Sequence, residues 1–79
     1  MTNKELYEAV FMDALDLVDR KALQGLEFQG HPNWDSVGHM QLISALEDAF
    51  DITIDPDDMI GLASFEKGQE IVRRYGIEL

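Results

Sequence analysis

Apolar residues return every three or four positions along three stretches of this chain, the spacing of one helix face. The first stretch carries Leu6, Ala9, Val10, Ala14, Leu17 and Val18, with Tyr7, Phe11 and Leu15 widening the stripe. It predicts a helix from Asn3 to about Asp19. Thr2 and Glu5 stand at the spacing of a capping box, where a hydroxyl and a carboxylate each satisfy a free amide. Lys4 with Glu8, and Asp16 with Arg20, form i,i+4 pairs worth roughly a few tenths of a kcal/mol each. Arg20 and Lys21 suit the negative end of the helix dipole.

The second stretch carries Val37, Met40, Leu42, Ile43, Leu46, Ala49 and Phe50, and predicts a helix over 36–50. Asp35 precedes it as an N-cap, so Ser36 takes the first helical position, at the tip of the helix. The third stretch, Phe65, Gly68, Ile71, Val72 and Tyr75, predicts a helix over about 65–75 between Ser64 as cap and Gly76 as stop. Glu70 and Arg74 pair on its outer face. Between these two helices, Met59, Ile60 and Leu62 follow Asp55 as cap and Pro56 at the first helical position. They predict a short helix over about 56–60.

The period breaks from Ala22 to Asn33. Gly25 and Gly30 punctuate this segment, His31-Pro32-Asn33 reads as a turn, and Leu23, Leu26 and Phe28 would pin the loop to the core. A loop this long in a small domain costs entropy to order and is often functional. Trp34 either staples the loop to the next helix, near Gly38 or Met40, or stands exposed at a docking surface. Ile52 and Ile54 alternate, but with no partner they read as extended loop anchored in the core. The expectation is an all-α four-helix bundle in one domain, residues 1–79, with three longer helices and a short third.

The 79 residues hold 16 acidic side chains against six basic ones, for a net charge of −10. Such a surface disfavours nucleic acid, which needs a positive footprint, and favours basic protein partners. Disorder is excluded because 46% of the residues are apolar and they are periodic. No apolar run is long enough to span a membrane, and no basic leader precedes one, so a cytoplasmic monomer without membrane insertion is expected. Like-charge repulsion around Asp55, Asp57 and Asp58 should ease as salt is added.

Reactive side chains are scarce. There is no Cys, so there is no disulfide, thiol chemistry or Cys-ligated zinc. Ser36 and His39 invite a hydrolase reading. It fails because Asp35 is committed to the cap and no Gly-rich oxyanion nest is visible. Asp55, Asp57 and Asp58 lack the central Gly of an EF-hand loop and read as caps and solvated acids, not a metal site. Ser36 differs, because a helix N-terminus offers amides and a positive dipole end to an attached phosphate. Gly38 would leave space on the next turn for an attached chain.

Asp35-Ser36-Val37-Gly38, followed by Leu42, Leu46-Glu47, Phe50, Ile52 and Ile54, resembles the acyl carrier and peptidyl carrier protein family. In that family Asp-Ser precedes Leu or another aliphatic residue, and Val37 fills the place here. The likeness is strongest over Trp34 to Asp58 and extends more loosely over nearly the whole chain. It implies an acyl-carrier-like bundle in which Ser36 carries covalent 4'-phosphopantetheine. A separate magnesium-dependent phosphopantetheinyl transferase would attach it from coenzyme A, and Asp35 would help position the transferase's metal and cofactor. The arm's thiol would hold acyl or related cargo as a thioester, and the chain itself would have no catalytic residue.

The resemblance also implies a partner surface on the second helix, with Val37, His39, Met40, Gln41, Glu47 and Asp48. Its partners would be a ligase, a synthase or an acyltransferase. Met40, Leu46, Ile54, Met59, Ile60 and Leu62 are the candidates for an acyl pocket. Gly38 and Gln41 stand where Asp and Glu are common in fatty-acid carriers. The departure points to a stand-alone carrier for a polyketide or other secondary metabolite, a modified lipid or a glycoconjugate, rather than general fatty-acid synthesis. The rival expectation is an acidic helical interaction module whose tip is never modified.

Overall fold

The computed structural model describes residues 1–79 and is all-helical. Helix α1 spans Asn3–Ala14, α2 Ser36–Phe50, α3 Pro56–Gly61 and α4 Phe65–Arg74, with a single 3₁₀ turn at Arg20–Leu23. The capping box forms at the start of α1: Thr2 accepts from the Glu5 amide and Glu5 accepts from the Thr2 amide. These bonds hold the Glu5 carboxyl below the usual carboxylate range.

Helix α1 stops at Ala14, well short of the expected Asp19. Asp16 enters the left-handed region, at φ 52°. The Leu17 amide then reaches the Met12 carbonyl (2.8 Å) and the Asp16 amide that of Asp13 (3.3 Å). This is a Schellman ending, built on an Asp rather than the usual Gly. Beyond it Leu17 is buried, while Val18 is 97% exposed and lies outside the apolar face. The innermost line of α1 is Tyr7, Phe11 and Leu15, and Ala9 faces solvent. The expected ion pairs rearrange with the backbone. Glu8 pairs with Arg20, Arg74 with Asp58, and Lys67 with Glu70.

Fifteen buried apolar residues form one core. Its aromatic part joins α1 to the loop and to α4: Phe11 meets Trp34 and Phe65 edge-on, and Tyr7 tilts against Phe11 and Phe65. The Tyr7 hydroxyl donates to the Phe65 carbonyl at 2.6 Å. This approach requires Gly68, because a Cβ there would lie 2.3 Å from the hydroxyl.

The segment between α1 and α2 is held by backbone as well as by its apolar pins. The Phe28 amide donates to the Ala63 carbonyl (2.8 Å) and the Phe65 amide to the Leu26 carbonyl (2.9 Å), around an antiparallel bridge from Glu27 to Ser64. Leu23 and Leu26 are buried and Phe28 is half-buried. Trp34 is fully buried, which overturns its reading as an exposed docking aromatic. Asp55 occupies the cap position of α3, yet its side chain makes no capping bond. Its amide instead donates to the Tyr75 hydroxyl at 2.9 Å.

Candidate functional site

The site grows from the start of α2. Asp35 is extended, and its Oδ1 accepts from the Gly38 amide at 2.8 Å while its carbonyl accepts from His39. These bonds start the helix at Ser36 and leave that residue exposed at the tip. Gly38 does not leave room for an attached chain, as the sequence suggested. A Cβ there would lie 2.2 Å from the Asn33 carbonyl oxygen and 3.3 Å from Leu15. The turn ahead of the helix fills that space, so any side chain at this position would have to push the turn aside.

Trp34 ties the turn to the helix. Its indole Nε1–H donates to His39 Nδ1 at 3.0 Å, so the two rings meet edge to edge, their planes within 19° and their centroids 6.1 Å apart. An indole nitrogen can only donate, so Nδ1 must accept and Nε2 must carry the proton. Nε2 faces the Met59 carbonyl at 2.7 Å and donates to it. Phe28 packs against the imidazole at a tilt of 55°, with centroids 5.2 Å apart. His39 is half-buried, and both of its nitrogens are engaged within the fold.

The other expected partner residues divide in the same way. Val37, Met40, Gln41 and Asp48 are exposed on α2. Glu47 is half-buried, and its Oε2 accepts from the Ile54 amide at 2.9 Å, which holds the α2–α3 loop. One of its oxygens is thus used within the fold. Asp48 lies on the side facing α1, beside Ala45, Ala49 and Leu6, away from α3. No lysine or arginine occurs between Lys21 and Lys67, so α2, the following loop and α3 supply no cationic side chain of their own.

Of the expected pocket residues, four come together. Met40 of α2 faces Met59 and Ile60 of α3 and Leu62 after it, across a groove of about 430 Å³. Leu46 and Ile54 are not in the groove. They are sealed in the core, at 0% and 1% exposure. The sequence reading missed Phe28, His39, Pro56 and Ala63 as lining. No spacing signal marks Phe28, because residues two apart on extended backbone share a face, yet Leu26 enters the core and Phe28 the groove.

A second, polar hollow of about 260 Å³ lies on the other flank of the tip, between Asp16, Asn33, Asp35 and Gln41. No cluster of side chains suited to a metal ion is present. No helix is long and apolar enough to cross a membrane. Ser36 thus presents an exposed hydroxyl at a helix start, where backbone amides and the positive dipole end favour negative charge.

Comparison with known families agrees with this geometry. Residues 34–67 match the family model described as phosphopantetheine attachment site. No curated protein and no solved structure matches the chain.

Proposed function

We infer that this chain, whose residues 34–67 match the phosphopantetheine attachment site model, is a noncatalytic carrier of acyl or related intermediates, with Ser36 as its attachment residue. The observation that carries the reading is Ser36 itself, an exposed hydroxyl at the first position of a side-chain-capped helix inside the matched segment. On a separate transferase, Ser36 Oγ loses its proton and bonds to the pantetheine-side phosphorus of coenzyme A, the pyrophosphate P–O bond breaks, and adenosine 3',5'-bisphosphate leaves. Asp35 holds the helix start with Oδ1, and the carboxylate stays exposed for the transferase's metal and cofactor. The attached group supplies a thiol that bears cargo as a thioester, which this Cys-free chain otherwise lacks.

The chain's own residues do the rest. The amides of the first α2 turn and the positive dipole end favour the ester's negative charge. Val37 and Met40 offer an exposed apolar surface beside the attachment point. Gln41 and the absence of acidic residues over Ser36–Leu46 make that surface neutral, and Asp48 adds charge only further down the helix. A ligase, synthase or acyltransferase docking there meets apolar and hydrogen-bonding groups first. The groove between Met40, Met59 and Ile60 suits apolar cargo. The lack of acidic residues over Ser36–Leu46 favours a dedicated cytoplasmic carrier of a specialised lipid, polyketide or glycoconjugate pathway over general fatty-acid synthesis.

The test is an intact mass after incubation with coenzyme A, magnesium and a broad-specificity phosphopantetheinyl transferase. Wild type gains one phosphopantetheine and Ser36→Ala gains none. No gain in wild type, or a gain that persists in Ser36→Ala, overturns the assignment.

A further inference from the structure

Helix α3 is poorly secured by packing. It has six residues, and none of them is buried. Polar contacts hold it instead, on two sides. On the α4 side, Asp58 accepts from Arg74 at 2.9 Å and from the Tyr75 hydroxyl at 2.7 Å. On the α2 side, the only hydrogen bond from another helix is His39 Nε2 to the Met59 carbonyl. Met59 lies in the last turn of α3, where a helix leaves its carbonyls without intrahelical donors. His39 supplies the missing donor.

The imidazole is also held along its edge. The Trp34 indole N–H fixes its tautomer and the direction of its ring, and the Phe28 ring lies tilted against it. Trp34 is itself locked in the core against Phe11. A continuous chain of contacts thus runs from the core through Trp34 and His39 to the backbone of α3. His39 and Met59 both line the groove. A chain that deepens this groove must move α3 away from α2, and the short Nε2–O contact is the first bond such a movement stretches.

We propose that His39 is a positioning residue that latches α3 to α2, so that seating of apolar cargo in the groove and the His39–Met59 hydrogen bond oppose one another. The coupling is reciprocal: cargo weakens the latch, and loss of the latch eases entry of cargo. The cargo half of this statement rests on the carrier reading of Ser36, whereas the latch half concerns the unmodified chain alone.

The experiment therefore has two arms. In the unmodified protein, amide hydrogen exchange of Ile60, Gly61 and Leu62 is compared between wild type, His39→Ala and His39→Gln. His39→Ala should speed exchange in α3 about tenfold or more, the loss of roughly one hydrogen bond. Amides in the middle of α2 should change much less. His39→Gln, whose amide can donate to the same carbonyl, should restore part of the protection. Equal exchange in α3 for wild type and His39→Ala overturns the latch. So does a uniform change in α2 and α3, which a merely structural role would give.

In the second arm, Ser36 is loaded with short and long saturated acyl chains through a hydrolysis-resistant amide analogue. The indole N–H resonance of Trp34 and the α3 amides are then followed. The long chain should shift the indole resonance and raise α3 exchange, and the short chain should do neither. No response to the long chain overturns the coupling. Failure of the carrier reading is seen separately, as a Ser36 that cannot be loaded, and leaves the first arm to decide the latch.

Discussion

Helices α2 and α3 start alike and are held in opposite ways. Each follows an aspartate in extended conformation, Asp35 and Asp55. Asp35 closes its cap with a side-chain bond, and α2 continues for 15 residues that bury Gly38, Leu42, Ile43 and Leu46. Asp55 makes no such bond, and α3 ends after six residues with nothing buried. The first helix is a platform seated in the core. The second is a plate attached by polar contacts to His39, Arg74 and Tyr75. An identical capping residue thus says where a helix can begin, while burial along its length decides whether it is anchored.

The sharpest way to break this contrast is to remove an apolar side chain from each. Leu46→Ala should cost about 2–5 kcal/mol of stability, from lost burial and the cavity left behind. Ile60→Ser, at a position 80% exposed, should change stability by less than about 0.5 kcal/mol. Urea denaturation of both variants checks this, and comparable losses would erase the distinction between platform and plate.

A smaller effect is expected at the platform's tip. Gly38→Ala forces a Cβ against the Asn33 carbonyl and should cost about 1–3 kcal/mol, the range for overpacking a tight site. The same denaturation series measures it. A neutral outcome would mean that the turn before α2 yields easily.

Two tyrosines extend the comparison to alkaline pH. Burial pushes the Tyr7 phenol far above its ordinary value. Tyr75 also rises. The bond from the Asp55 amide pulls it down, but donation to Asp58, burial and the neighbouring carboxylates outweigh it. An unfolded tyrosine sheds its proton near pH 10, whereas the folded Tyr7 retains it. The folded state then binds more protons, so stability is full below about pH 10 and falls as pH rises past it. Tyr7→Phe should flatten that decline in thermal midpoint, and Tyr75→Phe should flatten it much less. The reverse order would place the principal alkaline weak point at α3.

The smallest effect concerns salt. Asp55 and Asp57 are exposed, while Asp58 is already neutralised in part by Arg74. Added salt should raise the thermal midpoint slightly by screening the remaining repulsion. A midpoint that falls steadily with salt would show that the Arg74–Asp58 pair outweighs that repulsion.

Much of this contrast is visible in the amino-acid order, and its limits have physical causes. The cap at Asp35 and the unbroken three-and-four spacing after it mark the course of α2, because both signals are local. The end of α1 is hidden, since Leu17 continues the apolar spacing and no glycine announces the turn that Asp16 makes. Phe28 and Ala63 are joined by backbone bonds across distant segments, which no periodicity encodes. His39 is the clearest case. Its partners lie five and 20 residues away, so the sequence shows a titratable group on a helix but not that both nitrogens are engaged. The groove was half legible: Met40, Met59, Ile60 and Leu62 share it, whereas Leu46 and Ile54 carry the same apolar signal and belong to the core.

The bridge between Glu27 and Ser64 bears on how α3 is free to move. Ala63 is moored to Phe28 immediately beyond the helix, and the Glu47 side chain grips Ile54 shortly before it. Both ends of the plate are therefore fixed points. If the latch opens, α3 cannot drift away from the body. With Asp58 still bonded to Arg74 and Tyr75 on the α4 side, it turns on its moorings as a shutter turns on its pins, and the short lengths of chain between them limit the width of the opening.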